Sequence, residues 1–214
     1  MYLREVPRGG KIMGVIVNFI TKEEMQMCKR ITPQYVNDIR QNRYTIDNAV
    51  EKIFEECGIT SYPINVFDIA RKLNFDIRYV NFVGNKISGA MWDGKEELTI
   101  GEMTSKRFIL VNKSDTPEQR AFTVAHELGH FMLHCDDGTN FYEKYHAEQD
   151  EDKKKEDEAD FFGINLLMPS WIIQAYIDRN KDLPHQVLIK HICEDFLVEE
   201  AAVEKRFREI GYTL

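Results

Sequence analysis

Chemistry is concentrated in one pentapeptide, His126-Glu127-Leu128-Gly129-His130. A helix turns by about 100° per residue, so with His126 at 0°, His130 falls near 40° and Glu127 near 100°, and all three project from one sector. Two imidazoles one turn apart can grip a single zinc ion. The glutamate beside them is placed to take a proton from a water in the ion's open position. His126 and His130 are therefore candidate metal ligands, and Glu127 is the candidate general base.

A catalytic zinc needs a third protein ligand, and its identity sets the mechanistic class. A third histidine six residues beyond His130 would serve, but that position is Asp136, and the glycine needed for the intervening turn is replaced by Leu133. His134 has rotated well away from His126 and reads as a helix-end residue near the last carbonyls. The acids Glu156, Glu158 and Asp160, just ahead of Phe161-Phe162-Gly163-Ile164, are better placed. Glu156 and Asp160 are four residues apart and share a helix face. Glu156 is thus the expected third ligand, with Glu158 as its rival, and Asp160 is expected to accept the outward ring N–H of a ligating histidine. Such a nitrogen and oxygen donor set suits zinc, and also Mn2+ or Fe2+. Tyr142, Tyr145 and His146 are candidate donors to the oxyanion of a tetrahedral intermediate.

These residues need elements to hold them. Thr116-Pro117-Glu118-Gln119 has a cap residue, proline at the first helical position and glutamine three after the cap, which predicts a helix to about His134. Pro169 bounds a second helix predicted over Glu156 to Met168. Upstream, Asp47-Asn48-Ala49-Val50 leads into a helix closed by Gly58, and Asn65 caps another that ends at Leu73. Between them, Ile77 to Phe82, Ile87 to Trp92, Glu97 to Ile100 and Phe108 to Val111 read as short strands of a mostly antiparallel sheet. Gly84-Asn85 and Asp93-Gly94 punctuate them, the second as a hairpin turn. The charged stretch Asp136 to Lys155 reads as a solvated connector, with a lid as the alternative. Residues 170–212 are helical, broken at Asn180 and Pro184 and closed near Gly211.

The bulk composition excludes several classes. At 214 residues, 43% hydrophobic and 30% charged, the chain is that of an ordinary folded protein. Its net charge of -8 gives no positive field for a nucleic acid backbone. The four cysteines, Cys28, Cys57, Cys135 and Cys193, form no C-x-x-C pair, which argues against a structural zinc module and for reduced thiols in the cytoplasm. Arg4, Arg8 and Lys11 precede an apolar run, Ile12 to Ile20, that is shorter than the roughly 20 residues of a membrane span and is interrupted by Asn18. Thr21-Lys22-Glu23-Glu24 follows in place of a signal cleavage site. Arg8-Gly9-Gly10-Lys11 is what a purine-rich ribosome-binding sequence would encode, so Met13 is the expected start and residues 1–12 are expected not to be native.

Arg120-Ala121-Phe122-Thr123-Val124-Ala125-His126-Glu127-Leu128-Gly129-His130, followed by Glu156-x-Glu158-Ala159-Asp160-x-Phe162 and Leu166-Leu167-Met168-Pro169, resembles the ImmA/IrrE family of metallo-endopeptidases. Ile87-Ser88-Gly89 and Ile109-Leu110-Val111-Asn112 resemble the sheet that precedes that family's active helix. The resemblance covers about residues 60–170, with a weaker echo to 211. It implies an α+β fold: a zincin-like catalytic domain with a small sheet and active-site helices, then a helix-turn-helix-like unit. The corresponding divisions are an N-terminal helical extension over 1–45, the peptidase domain over 46–170 and a C-terminal helical subdomain over 171–214. The resemblance puts His126, His130 and Glu156 on the family's metal ligands and Glu127 on its catalytic glutamate. It also implies a protein substrate, a helix-turn-helix repressor of a mobile element or stress response. Asp160 departs from the more usual asparagine, Gly163-Ile164-Asn165 from a more alanine-rich stretch, and the charged insert before Glu156 is long.

The segment Phe196 to Phe207 looks like the end of a helix-turn-helix, but residues 151–214 hold 9 Lys and Arg against 14 Asp and Glu, so a packing or partner-binding unit is expected rather than a DNA reader. The alternative to an enzyme is a non-catalytic transcriptional regulator or protein-binding module that keeps the fold. The glutamate at 127 counts against it, because a pure binder has no chemical need of that base.

Overall fold

The computed structural model describes residues 46–59, 62–82, 87–135, 140–143 and 150–212. The expected N-terminal extension, the start at Met13, Cys28, Gly84-Asn85, Tyr145 and His146 lie outside the described residues.

Among the described residues, two short helices come first. The α1 helix, Ile46–Cys57, buries Ala49, Val50, Ile53 and Phe54 on one face and ends at Gly58, whose φ of +63° is a conformation glycine adopts without strain. The α2 helix, Val66–Lys72, opens where the Asn65 side chain accepts the Asp68 N–H at 3.3 Å. Leu73, at its end, is buried as expected.

A mixed four-stranded sheet follows, built from β1 (Asp76–Val80), β2 (Gly89–Ile100), β3 (Met103–Asn112) and β4 (Asn140–Glu143) in the spatial order β1-β3-β2-β4. Two pairings are antiparallel, β2 with β3 and β2 with β4, while β1 runs parallel to β3. The hairpin expected at Asp93-Gly94 is not there. The chain continues through it as β2, with a register shift between Asp93 and Leu98, and reverses instead at Gly101. Gly101, at φ +64°, fills the first place of a two-residue turn, where a positive φ demands glycine. Asp93 is engaged elsewhere: it sits opposite Arg107 on β3, and its Oδ1 accepts the Arg107 Nε–H at 2.8 Å. Gly94 leaves room for the Trp92 indole, which a β-carbon there would meet at 2.6 Å.

Helix α3, Pro117–His134, runs over the predicted span, and both halves of its capping box form: Gln119 N–H donates to Thr116 Oγ1 at 3.2 Å and Thr116 N–H donates to Gln119 Oε1 at 3.1 Å. Helix α4 spans Asp150–Leu167 and starts well before the predicted Glu156, because its first turns are acidic and lysine-rich rather than apolar and carry no periodicity to read. The stretch read as a connector thus contains β4 and the opening of α4. Three helices complete the chain: α5 (Ser170–Arg179), α6 (His185–Phe196) and α7 (Glu200–Glu209). Asn180 and Pro184 bound them as predicted, and Leu197 reverses the chain with φ +55°.

One apolar core runs from Ala49 on α1 through Val124 and Leu128 on α3 and Phe162 on α4 to Phe207 on α7. The last helix is tied down by Arg206, only 3% exposed, whose Nε–H donates to the Met168 carbonyl at 2.8 Å just past the end of α4. No described helix is long and apolar enough to cross a membrane.

Candidate metal centre

The capped α3 presents His126, Glu127 and His130 at 1%, 1% and 2% exposure, so the stripe that could do chemistry faces the interior. Helix α4 crosses α3 at unusually close range because both carry glycine at the crossing. A β-carbon on Gly129 would lie 2.9 Å from the Ala159 carbonyl oxygen, and one on Gly163 would lie 3.1 Å from His126 N. That approach swings Glu156 over the histidine stripe.

The three side chains converge. His126 Nε2 and His130 Nε2 are 3.0 Å apart, Glu156 Oε2 is 3.3 Å from the first, and its Oε1 is 3.1 Å from the second. Among the described residues they form a group of three whose ligand atoms all lie within 4.8 Å of one another. Ligands at about 2.0–2.1 Å in a tetrahedron stand about 3.3 Å apart, so the donor set and its spacing fit one small divalent ion. Glu158, the rival ligand, is turned away and meets His134 instead, with 2.9 Å between His134 Nε2 and its Oε2.

The electrostatics favour the forms that bind a cation. Burial alone would raise the Glu156 carboxyl, but hydrogen bonds to His126 and His130 outweigh it and hold the group well below the usual carboxylate range. Burial lowers His130 and His134 below the ordinary imidazole value, against the opposing pull of Glu156 and Glu158 respectively. Neutral imidazole and ionised carboxylate are the forms a metal requires.

Asp160 stands where the sequence puts it, with Oδ1 2.8 Å from His126 Nδ1, and its Oδ2 lies 3.7 Å from Lys205 Nζ on α7. His134 ends α3, as expected, but its ring turns inward to the site rather than out toward the last carbonyls. Its ring is buried and its Nδ1 lies 3.1 Å from His130 Nδ1. Its angle from His126 hides this role, and the signal lies in its i+4 spacing from His130. Gly89, at the start of β2, was also not singled out for the site: a β-carbon there would be 2.2 Å from Thr123 Cγ2 and 3.2 Å from Glu127 Oε1, so the sheet touches α3 beside the glutamate. Of the candidate oxyanion donors, Tyr142 contributes its backbone to β4, opposite Met91, and Tyr145 and His146 lie outside the described residues.

A buried helix bearing two histidines and a glutamate, crossed by a second helix that supplies another glutamate over a small mixed sheet, defines a metallopeptidase-type domain. The chain belongs to the peptidase M78 family, whose IrrE N-terminal-like domain matches residues 70–208. It is 33% identical over 70 residues to uncharacterized immunity region protein 2 of Bacillus phage phi105, an alignment that covers 33% of this chain and 43% of that protein. A solved structure of a Mycobacterium tuberculosis transcriptional regulator aligns with a TM-score of 0.47 and 17% identity over 81% of this chain and 50% of the regulator. The chain thus matches half or less of the length of each of these proteins.

Proposed function

We propose that this protein is a cytoplasmic zinc-dependent endopeptidase that cuts a peptide bond in a protein substrate, a helix-turn-helix repressor. The observation that carries the reading is the convergence of His126 Nε2, His130 Nε2 and the Glu156 carboxylate within 3.0–3.3 Å of one another, beside a buried Glu127. When bound, a zinc ion supplies Lewis acidity toward the attacking water and the scissile carbonyl. His126, His130 and Glu156 would hold it, Asp160 fixing the His126 ring from behind. Glu127 takes the proton from the water and passes it to the departing amine. Tyr142, Tyr145 and His146 remain the candidates for a further oxyanion donor. Kinship with a phage immunity-region protein supports a repressor as the partner. The acidic charge accords with a protein rather than nucleic acid as the ligand.

The test is elemental metal analysis of wild type and Glu127→Ala, together with cleavage of a helix-turn-helix repressor encoded beside this gene. Both proteins should hold about one zinc, and only wild type should cleave. Zinc in both with no cleavage by either would favour a non-catalytic regulator. No metal in either would overturn the ligand assignment, and manganese or iron in place of zinc would change the cofactor alone.

A further inference from the structure

The two histidines at the centre are backed differently. His126 Nδ1 meets a carboxylate directly, Asp160 Oδ1 at 2.8 Å. His130 Nδ1 meets another imidazole, His134 Nδ1 at 3.1 Å, and His134 Nε2 in turn meets Glu158 Oε2 at 2.9 Å. We propose that His134 and Glu158 are a positioning pair that orients the His130 ring for the metal, although neither would touch the ion. The proposal rests on the metal-site reading above.

Hydrogen bookkeeping supports it. For His130 Nε2 to offer a lone pair toward the ion, its ring proton must sit on Nδ1. That proton is donated to His134 Nδ1, which must be the acceptor, so the proton of His134 sits on Nε2 and is donated to Glu158. Each contact then has one donor and one acceptor. The opposite tautomers would turn a ring N–H of His130 into the centre and set a lone pair of His134 against the Glu158 carboxylate. The outer contacts therefore select the metal-binding tautomer once an ion takes the place of the hydrogen bond that Glu156 accepts from His130 Nε2. They also hold the ring in place, because the His134 side chain is only 7% exposed and cannot swing aside. Outer partners of this kind raise ligand basicity and fix ring orientation. Interposing an imidazole leaves His130 backed by a ring nitrogen and His126 by a carboxyl oxygen, so the two rings are unequal donors.

The experiment measures zinc affinity by chelator competition, and the visible spectrum of the cobalt-substituted protein, for wild type, His134→Phe, His134→Gln and Glu158→Ala. Phenylalanine keeps the ring's bulk and removes the acceptor. It should weaken zinc binding by about 10–100-fold and shift the cobalt bands. Glutamine, whose side-chain oxygen can accept from His130 Nδ1, should recover part of both, and this recovery is what a purely structural role would not produce. Glu158→Ala should weaken binding severalfold with His134 still present. Should His134→Phe not fold, the Glu158→Ala result decides. Zinc affinity within twofold of wild type in His134→Phe, with an unchanged cobalt spectrum, overturns the proposal while leaving the metal site intact. Equal loss in both His134 variants, in step with loss of metal-free stability, also overturns it. A wild-type protein that takes up no zinc overturns the metal-site reading and this proposal with it.

Discussion

Adding one methyl group at Gly129 tests whether the close crossing of α3 and α4 is what assembles the centre. A β-carbon there would stand 2.9 Å from Ala159 O, 3.0 Å from Ala159 Cα and 3.2 Å from Phe162 Cβ, all on α4. Two of these are backbone atoms that cannot rotate away, so relief to ordinary contact needs the helices to part by roughly 0.5 Å. The proposed ligands are divided across that crossing, with both histidines on α3 and Glu156 on α4, so a shift of about 0.5 Å exceeds the ±0.2 Å a metal site tolerates. Stability should suffer less. Overpacking costs about 1–3 kcal/mol, while alanine gains about 1 kcal/mol over glycine inside a helix. Gly129→Ala should therefore lose at most about 2 kcal/mol in urea unfolding, yet bind zinc at least about tenfold more weakly in chelator competition. Wild-type zinc affinity in a folded Gly129→Ala protein would refute the argument, because the geometry would then survive without the close approach.

Removing the carboxylate behind His126 with Asp160→Ala should lower zinc affinity by about 10–100-fold, measured in the same competition assay. Arg206→Leu leaves the Met168 carbonyl without its donor and should lose about 1–3 kcal/mol, a fall of roughly 2–12 °C in the thermal midpoint by scanning calorimetry. For pH, His130 and His134 are held below the unfolded imidazole value of 6.5, so as pH falls the unfolded chain binds protons first. Their contribution to stability is complete above 6.5 and declines below it. The urea midpoint of the metal-free protein should accordingly drop between pH 7.5 and 6, and a rise would show the sign to be wrong.

What could be read from the residues was what is encoded locally. The α3 capping box needs four neighbours in sequence, and His126, Glu127 and His130 acquire their common face from helix geometry alone. Asn65 and Gly58 declared their roles for the same reason. Asp93-Gly94 misled because its local preference for a turn loses to a cross-strand ion pair with Arg107, a partner no window of a few residues contains. The start of α4 was missed where charged residues replaced an apolar stripe. His134 and Glu158 are 24 residues apart on different helices and become partners only when α4 lies across α3.

Among the described residues the sheet is bordered on one side by β4, a strand of four residues. Along any such border alternate residues point their amides outward, so an extended chain laid against it could form only about four main-chain hydrogen bonds. At about 0.5–1.5 kcal/mol net each, these give roughly 2–6 kcal/mol before the entropy of ordering the added chain is subtracted. Main-chain hydrogen bonds of this kind supply affinity and carry no sequence information. If the chain cleaves a protein as proposed, recognition of a whole folded partner, at surfaces distant from the bond that is cut, would have to supply the selectivity, and short peptides that merely copy the cleavage sequence should make poor substrates.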